Sequence, residues 1–158
     1  MYSQSLRQNS RLILRELSLA LNSIDDTEIN RLVEAIIRAD KVFVTGVGRV
    51  MISLTAWVKR LRQLGIDIYE VGNLVEPSAT ESSLLIAASG SGNSVIPVAH
   101  AQKAKDLGLT VCHLGSNPHG AISPFVDFMV RIPVKTRFNL PGEIPSQLPM
   151  TTLFELSL

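Results

Sequence analysis

Apolar residues recur at helical spacing through the first 40 positions and then gather into short runs, so the chain changes period near residue 41. Leu6, Leu12, Ile13, Leu14, Leu17, Leu19, Leu21 and Ile24 give residues 3–24 an apolar surface too broad for one buried stripe. That is the pattern of an interface helix. Asp25 offers a capping oxygen with Glu28 three residues on, and Ile29, Leu32, Val33, Ile36 and Ile37 carry a second helix to Asp40.

Beyond it, Val42–Val44, Ile66–Val71, Leu84–Ala88, Leu109–Leu114 and Phe128–Ile132 read as strands. Gly46-Val47-Gly48 follows the first run and leads into helical spacing through Trp57, Val58, Leu61 and Leu64, closed by Gly65. A further helix runs from the turn Ser89-Gly90-Ser91-Gly92-Asn93-Ser94 to Leu107, with Gly108 as its stop. Strands alternating with helices predict an α/β fold, a three-layer doubly wound sandwich around a five-stranded parallel sheet in the order 2-1-3-4-5, preceded by N-terminal helices.

A single domain is expected over residues 1–158, with helices over 1–40 and the α/β core over 41–132. Pro133, Pro141, Pro145 and Pro149 make 133–149 a loop without repeating structure, functional or mobile, and 150–158 begin a C-terminal helix expected to continue past Leu158.

Composition narrows the function by exclusion. With 46% hydrophobic residues, 18% charged and a net charge of +1, the 158-residue chain can bury a core but presents no basic field. Binding to nucleic acid or to a membrane surface is therefore not expected, and no apolar run approaches the roughly 20 residues of a spanning helix. Cys112 is the one cysteine and lies in an apolar run, as a small core residue does. It forms no intramolecular disulfide, and the Arg-bearing N-terminal stretch is no cleavable signal, so the expected location is cytoplasmic. His100, His113 and His119 share no ligand spacing, and no metal is expected.

The serine turn carries the chemical signal. It stands between a buried strand and a helix, where free backbone N–H groups and the positive end of the helix dipole favour an anion. Ser89, Ser91 and Ser94 add hydroxyl donors, while Gly90 and Gly92 let the backbone approach closely. A small, neutral, donor-rich site suits a phosphate monoester. A polyphosphate is disfavoured because no Gly-Lys-Ser/Thr ending is present, and a dinucleotide because Gly46-Val47-Gly48 lacks the third glycine.

In the expected strand order, Gly46, Gly48 and Arg49 face the same crevice as the serine turn, with Arg49 placed to contact the phosphate or a sugar hydroxyl. Glu155, among Leu153, Phe154 and Leu156 at a helix start, is the carboxylate whose burial would suit proton transfer.

Together, Gly46-Val47-Gly48-Arg49, the Ser-Gly-Ser-Gly-x-Ser turn and Pro149-Met150-Thr151-Thr152-Leu153-Phe154-Glu155 resemble the sugar isomerase (SIS) domain, and within it the 6-phospho-3-hexuloisomerases. The likeness covers nearly the whole chain. It implies a homotetramer that interconverts 3-hexulose 6-phosphate and fructose 6-phosphate through an enediol, without a cofactor.

Carried over by position, Ser89, Ser91 and Ser94 hold the phosphate together with Gly92 and Asn93, while Gly46, Gly48, Arg49 and Thr152 line the pocket. Glu155 carries the proton. The chain departs from the branch's usual residues at Val50, Asn73, Glu76, Thr151 and Leu156, all expected near the pocket. A different class of function is also compatible with these motifs: a non-catalytic module that binds a phosphosugar and reports it.

Overall fold

The computed structural model describes residues 2–149 and 152–158, with side chains from Ser5 onward. The elements are α1 (Tyr2–Leu21), α2 (Asp26–Arg38), β1 (Val42–Thr45), α3 (Arg49–Gln63), β2 (Ile68–Glu70), β3 (Leu84–Ala88), α4 (Val95–Asp106), β4 (Thr110–Gly115), a 3₁₀ turn (Ser123–Phe125), β5 (Phe128–Arg131) and α5 (Thr152–Ser157). All five strands are parallel in the order 2-1-3-4-5, as the apolar runs predict.

Strand alternation divides the core into two layers. Val42, Val44, Leu84, Ile86 and Leu114 face one layer, against Leu32 and Ile36 of α2, Leu54 and Val58 of α3, and Leu153 and Phe154 of α5. Phe43, Leu85, Ala87 and Val111 face the other, against Ala101 and Ala104 of α4 and Ile122. Because β1 and β3 are neighbours, the helices that follow them leave toward opposite faces and open a crevice at the strands' carboxyl ends. Cys112 lies fully buried in the first layer, where desolvation pushes its thiol far above the ordinary range and leaves it inert.

The second helix starts as its sequence suggests, with the Asp25 carboxylate accepting the Thr27 N–H at 2.7 Å. Glu28 does not complete a capping box. Its Oε2 accepts the Arg131 N–H of β5 at 2.6 Å instead, fastening α2 to the sheet's edge.

Residues 133–149 contain no helix or strand, yet they are held in place. Val134 and Ile144 form a parallel bridge, and the Glu143 carboxylate accepts the N–H groups of Thr136 at 3.0 Å and Leu140 at 2.9 Å. Buried Glu16 of α1 accepts Ser146 Oγ at 2.5 Å and the Gln147 N–H at 2.9 Å. The segment is thus a strap held by two carboxylates. Prolines remove backbone donors, and here side-chain oxygens take up the donors that remain.

Candidate functional site

The crevice between the ends of β1 and β3 holds a cavity of about 600 Å³, within the range of small-molecule sites. Its floor is the serine turn. Ser89 N–H bonds Leu114 O at 2.9 Å, and Gly92 N–H bonds Ser89 O at 3.0 Å, so the turn grows directly out of the sheet.

Gly92 adopts φ +67°, a left-handed conformation that a side chain resists. A Cβ there would stand 3.1 Å from Gly120 Cα, and one on Gly120 would stand 2.6 Å from Gly92 Cα. The two backbones meet with no room between them. Beneath the turn, buried His113 approaches the Ser89 carbonyl through Nε2 at 2.9 Å. Burial holds this imidazole below its ordinary pKa, so the ring is neutral at pH 7 and its Nε2–H is the donor to that carbonyl.

Ser89 Oγ donates to Ser94 Oγ at 3.1 Å, which leaves the Ser94 proton to serve as a donor of its own. Ser91 Oγ accepts the Asn93 N–H at 3.2 Å, and the Asn93 carboxamide oxygen accepts the Ala121 N–H at 2.8 Å, pinning the turn's far end. Ser94 is the N-cap of α4 yet makes no side-chain cap bond. The first N–H groups of α4 are therefore uncapped at the cavity, where Val95 and Ile96 line its wall.

Across the cavity, Arg49 Nε pairs with Glu155 Oε1 at 3.2 Å. Arg49 opens α3 behind Gly48, whose φ of +58° forms that helix's N-cap, and Glu155 lies in the short helix α5 with its side chain only 12% exposed. Ser53 Oγ donates to the Glu155 backbone carbonyl at 3.3 Å, which ties α5 to α3. An ordered carboxylate thus stands opposite a bank of hydroxyls and N–H groups.

Of the residues expected from sequence, Gly48, Arg49, Ser89, Ser91, Asn93, Ser94 and Glu155 line this one cavity. Gly46, Gly92 and Thr152 lie outside its wall. A Cβ on Gly46 would press on Leu54 and Val50 at 3.1 and 3.2 Å, so that glycine lets α3 pack against the strand end; Gly92 shapes the turn from behind. Thr152 donates its N–H to Pro149 O at 3.0 Å and starts α5.

Among the described departures from the branch pattern, Val50 lines the cavity. Asn73 and Glu76 sit in the β2–β3 connection, where the Gly72 N–H bonds Glu76 Oε2 at 2.8 Å, and Leu156 is exposed. Met150 and Thr151 lie outside the described residues.

Sequence reasoning missed Lys135, Thr136 and Arg137, which the strap contributes to the cavity wall. Their signal was the cationic Lys-Thr-Arg triplet just after β5, hidden by the prolines around it. His100 is bonded to Thr45 Oγ1 at 2.8 Å. Among the described residues, no group of three His, Cys, Asp or Glu side chains could hold a metal ion, and no helix is long and apolar enough to cross a membrane.

No family model matches the chain. It is 31% identical over 146 residues to a Bacillus subtilis 3-hexulose-6-phosphate isomerase, covering 92% of this chain and 79% of that protein. A 3-hexulose-6-phosphate isomerase of Methanocaldococcus jannaschii is 32% identical over 151 residues, covering 93% and 76%. Among solved structures, a Methanococcus jannaschii protein whose crystal structure infers a 3-hexulose-6-phosphate isomerase function superposes with a TM-score of 0.80 at 27% identity, over 95% of this chain and 82% of that one.

Proposed function

The chain belongs to the 3-hexulose-6-phosphate isomerases of the sugar isomerase (SIS) domain family, and from that premise we propose that it interconverts 3-hexulose 6-phosphate and fructose 6-phosphate with Glu155 as the proton carrier. The observation that carries this reading is one cavity with a neutral, donor-rich serine turn on its floor and the Glu155 carboxylate on the facing wall.

In this mechanism Ser91, Ser94 and the first N–H groups of α4 anchor the phosphate, with Ser89 orienting Ser94. The anchored ketose presents C2 to Glu155. The carboxylate takes the C2 proton, the C2–H electron pair forms the C2–C3 double bond, and the C3 carbonyl becomes an enediolate oxygen. Passing the O2 proton to O3 and returning the carbon-bound proton to C3 leaves the ketone at C2. Base and acid are one group at two moments, and general acid–base help of this kind is worth roughly 10²–10⁴-fold. Arg49 orients the carboxylate through their 3.2 Å pair.

The residues 1–158 act in this reading as one SIS domain, working in the cytoplasm as the lone buried Cys112 suits. We also infer a homo-oligomer, the tetramer that the family resemblance implies, because Leu6 and Leu14 of α1, Ile37 of α2 and Ile52 of α3 are each 66–70% exposed. Sedimentation at 17.2 kDa, the mass of one chain, would contradict it.

The enzymatic reading is tested by proton NMR in deuterated water. Fructose 6-phosphate is expected to take up solvent deuterium at C3, and the 3-hexulose 6-phosphate formed from it at C2, on addition of the protein. Tight binding without any exchange would instead favour the non-catalytic phosphosugar-reporting module.

A further inference from the structure

The serine turn offers donors but no charge. From Ala88 to Ala99 the chain contains no ionisable residue, so no formally charged side chain between β3 and the middle of α4 offsets the charge of a bound anion. A phosphate monoester carries about −1.5 to −2 at pH 7. Arg49 already faces the Glu155 carboxylate at 3.2 Å, and that pair is close to neutral as a unit. The remaining charged side chains of the cavity wall are Lys135 and Arg137, both from the strap, both exposed, and neither ion-paired among the described residues. Their summed charge of about +2 matches the dianion.

The strap that bears them is built to hold position. Ser116 Oγ donates to the Val134 carbonyl at 2.7 Å, immediately before Lys135, and the Lys135 N–H itself bonds Ile144 O at 3.1 Å. Between the two cations, buried Thr136 gives its N–H to Glu143 Oε2 at 3.0 Å. The Arg137 guanidinium carbon rests over the Phe138 ring, 4.8 Å from its centroid. Backbone anchors at Val134, Lys135 and Thr136 hold the segment from which both cations line the cavity.

We propose that Lys135 and Arg137 are the charge-selecting residues of this site, supplying the positive potential by which it discriminates a phosphorylated sugar from the same sugar without its phosphate. The inference rests on the phosphosugar reading above and assigns the discrimination to the strap rather than to the serine turn. Position comes from the turn, and charge from the strap.

The test uses the full chain and its Lys135→Met, Arg137→Met, doubly substituted and Lys135→Arg variants. Titration calorimetry with fructose 6-phosphate and with fructose, at low and high salt, is paired with turnover measurements. Each Met variant is expected to weaken fructose 6-phosphate binding about tenfold, and the double variant about a hundredfold with loss of its salt dependence. Fructose binding should change less than twofold, Lys135→Arg should restore most of the affinity, and the loss should fall on KM more than on kcat. A double variant that binds fructose 6-phosphate within twofold of the parent overturns the proposal, as does an equal loss for fructose. A parent protein that binds the monoester without turning it over contradicts the isomerase reading alone, since the double variant's loss of affinity would still support the strap's role.

Discussion

The serine turn and the strap face the same cavity and are held by opposite means. Hydrogen bonds to the sheet, a glycine-on-glycine contact and a buried neutral histidine fix the turn, which carries no charge. Carboxylates of Glu143 and Glu16 fix the strap, which carries two cations. Tight backbone packing gives positional accuracy at little electrostatic cost, because it orients dipoles that are already present. Charged heads need a support they do not touch, and carboxylates that accept backbone N–H groups provide one. The difference separates where the ligand sits from which ligand is admitted.

The turn is vulnerable at Gly120. A methyl group there would lie 2.6–2.7 Å from the Gly92 backbone, which has no flexible side chain to move aside. Gly120→Ala is expected to destabilise the fold by about 1–3 kcal/mol and to displace Gly92, so affinity for fructose 6-phosphate should fall by at least tenfold. Chemical denaturation and calorimetry check the two effects. A variant with unchanged affinity would mean that the turn's shape does not depend on this contact.

A smaller effect sharpens the same contrast through pH. The pKa of His113 is depressed by burial, so the unfolded chain binds the proton more readily than the folded one. Its contribution to stability is complete above the unfolded value of about 6.5 and is lost as pH falls through the lower folded value. Melting temperature should therefore drop between about pH 7 and pH 5, and His113→Gln should flatten that part of the curve. An unchanged slope in the variant would remove the histidine from the turn's support.

How much of this was legible in the sequence follows from the range of each interaction. The sheet was readable because strands buried on both faces appear as continuous apolar runs, as Leu84–Ala88 does. Ser89–Ser94 was readable because glycine and hydroxyl chemistry are local. Glu155 was found at a helix start, but its partner Arg49 lies 106 positions away, and no spacing rule joins them. The strap was missed for a similar reason. Glu16 meets Ser146 across 130 positions, and buried Glu16 looks in sequence like any polar residue on an exposed helix face. His113 stood inside an apolar run and could be read only as core, although its ring supports the turn.

The central claim is that a phosphate held by the serine turn presents the sugar carbon to Glu155. Deuterium exchange catalysed by Glu155→Gln, measured by proton NMR beside calorimetric affinity for fructose 6-phosphate, tests it most directly. The account predicts exchange reduced roughly 10²–10⁴-fold with affinity close to that of the parent. Exchange at the parental rate in that variant would contradict it.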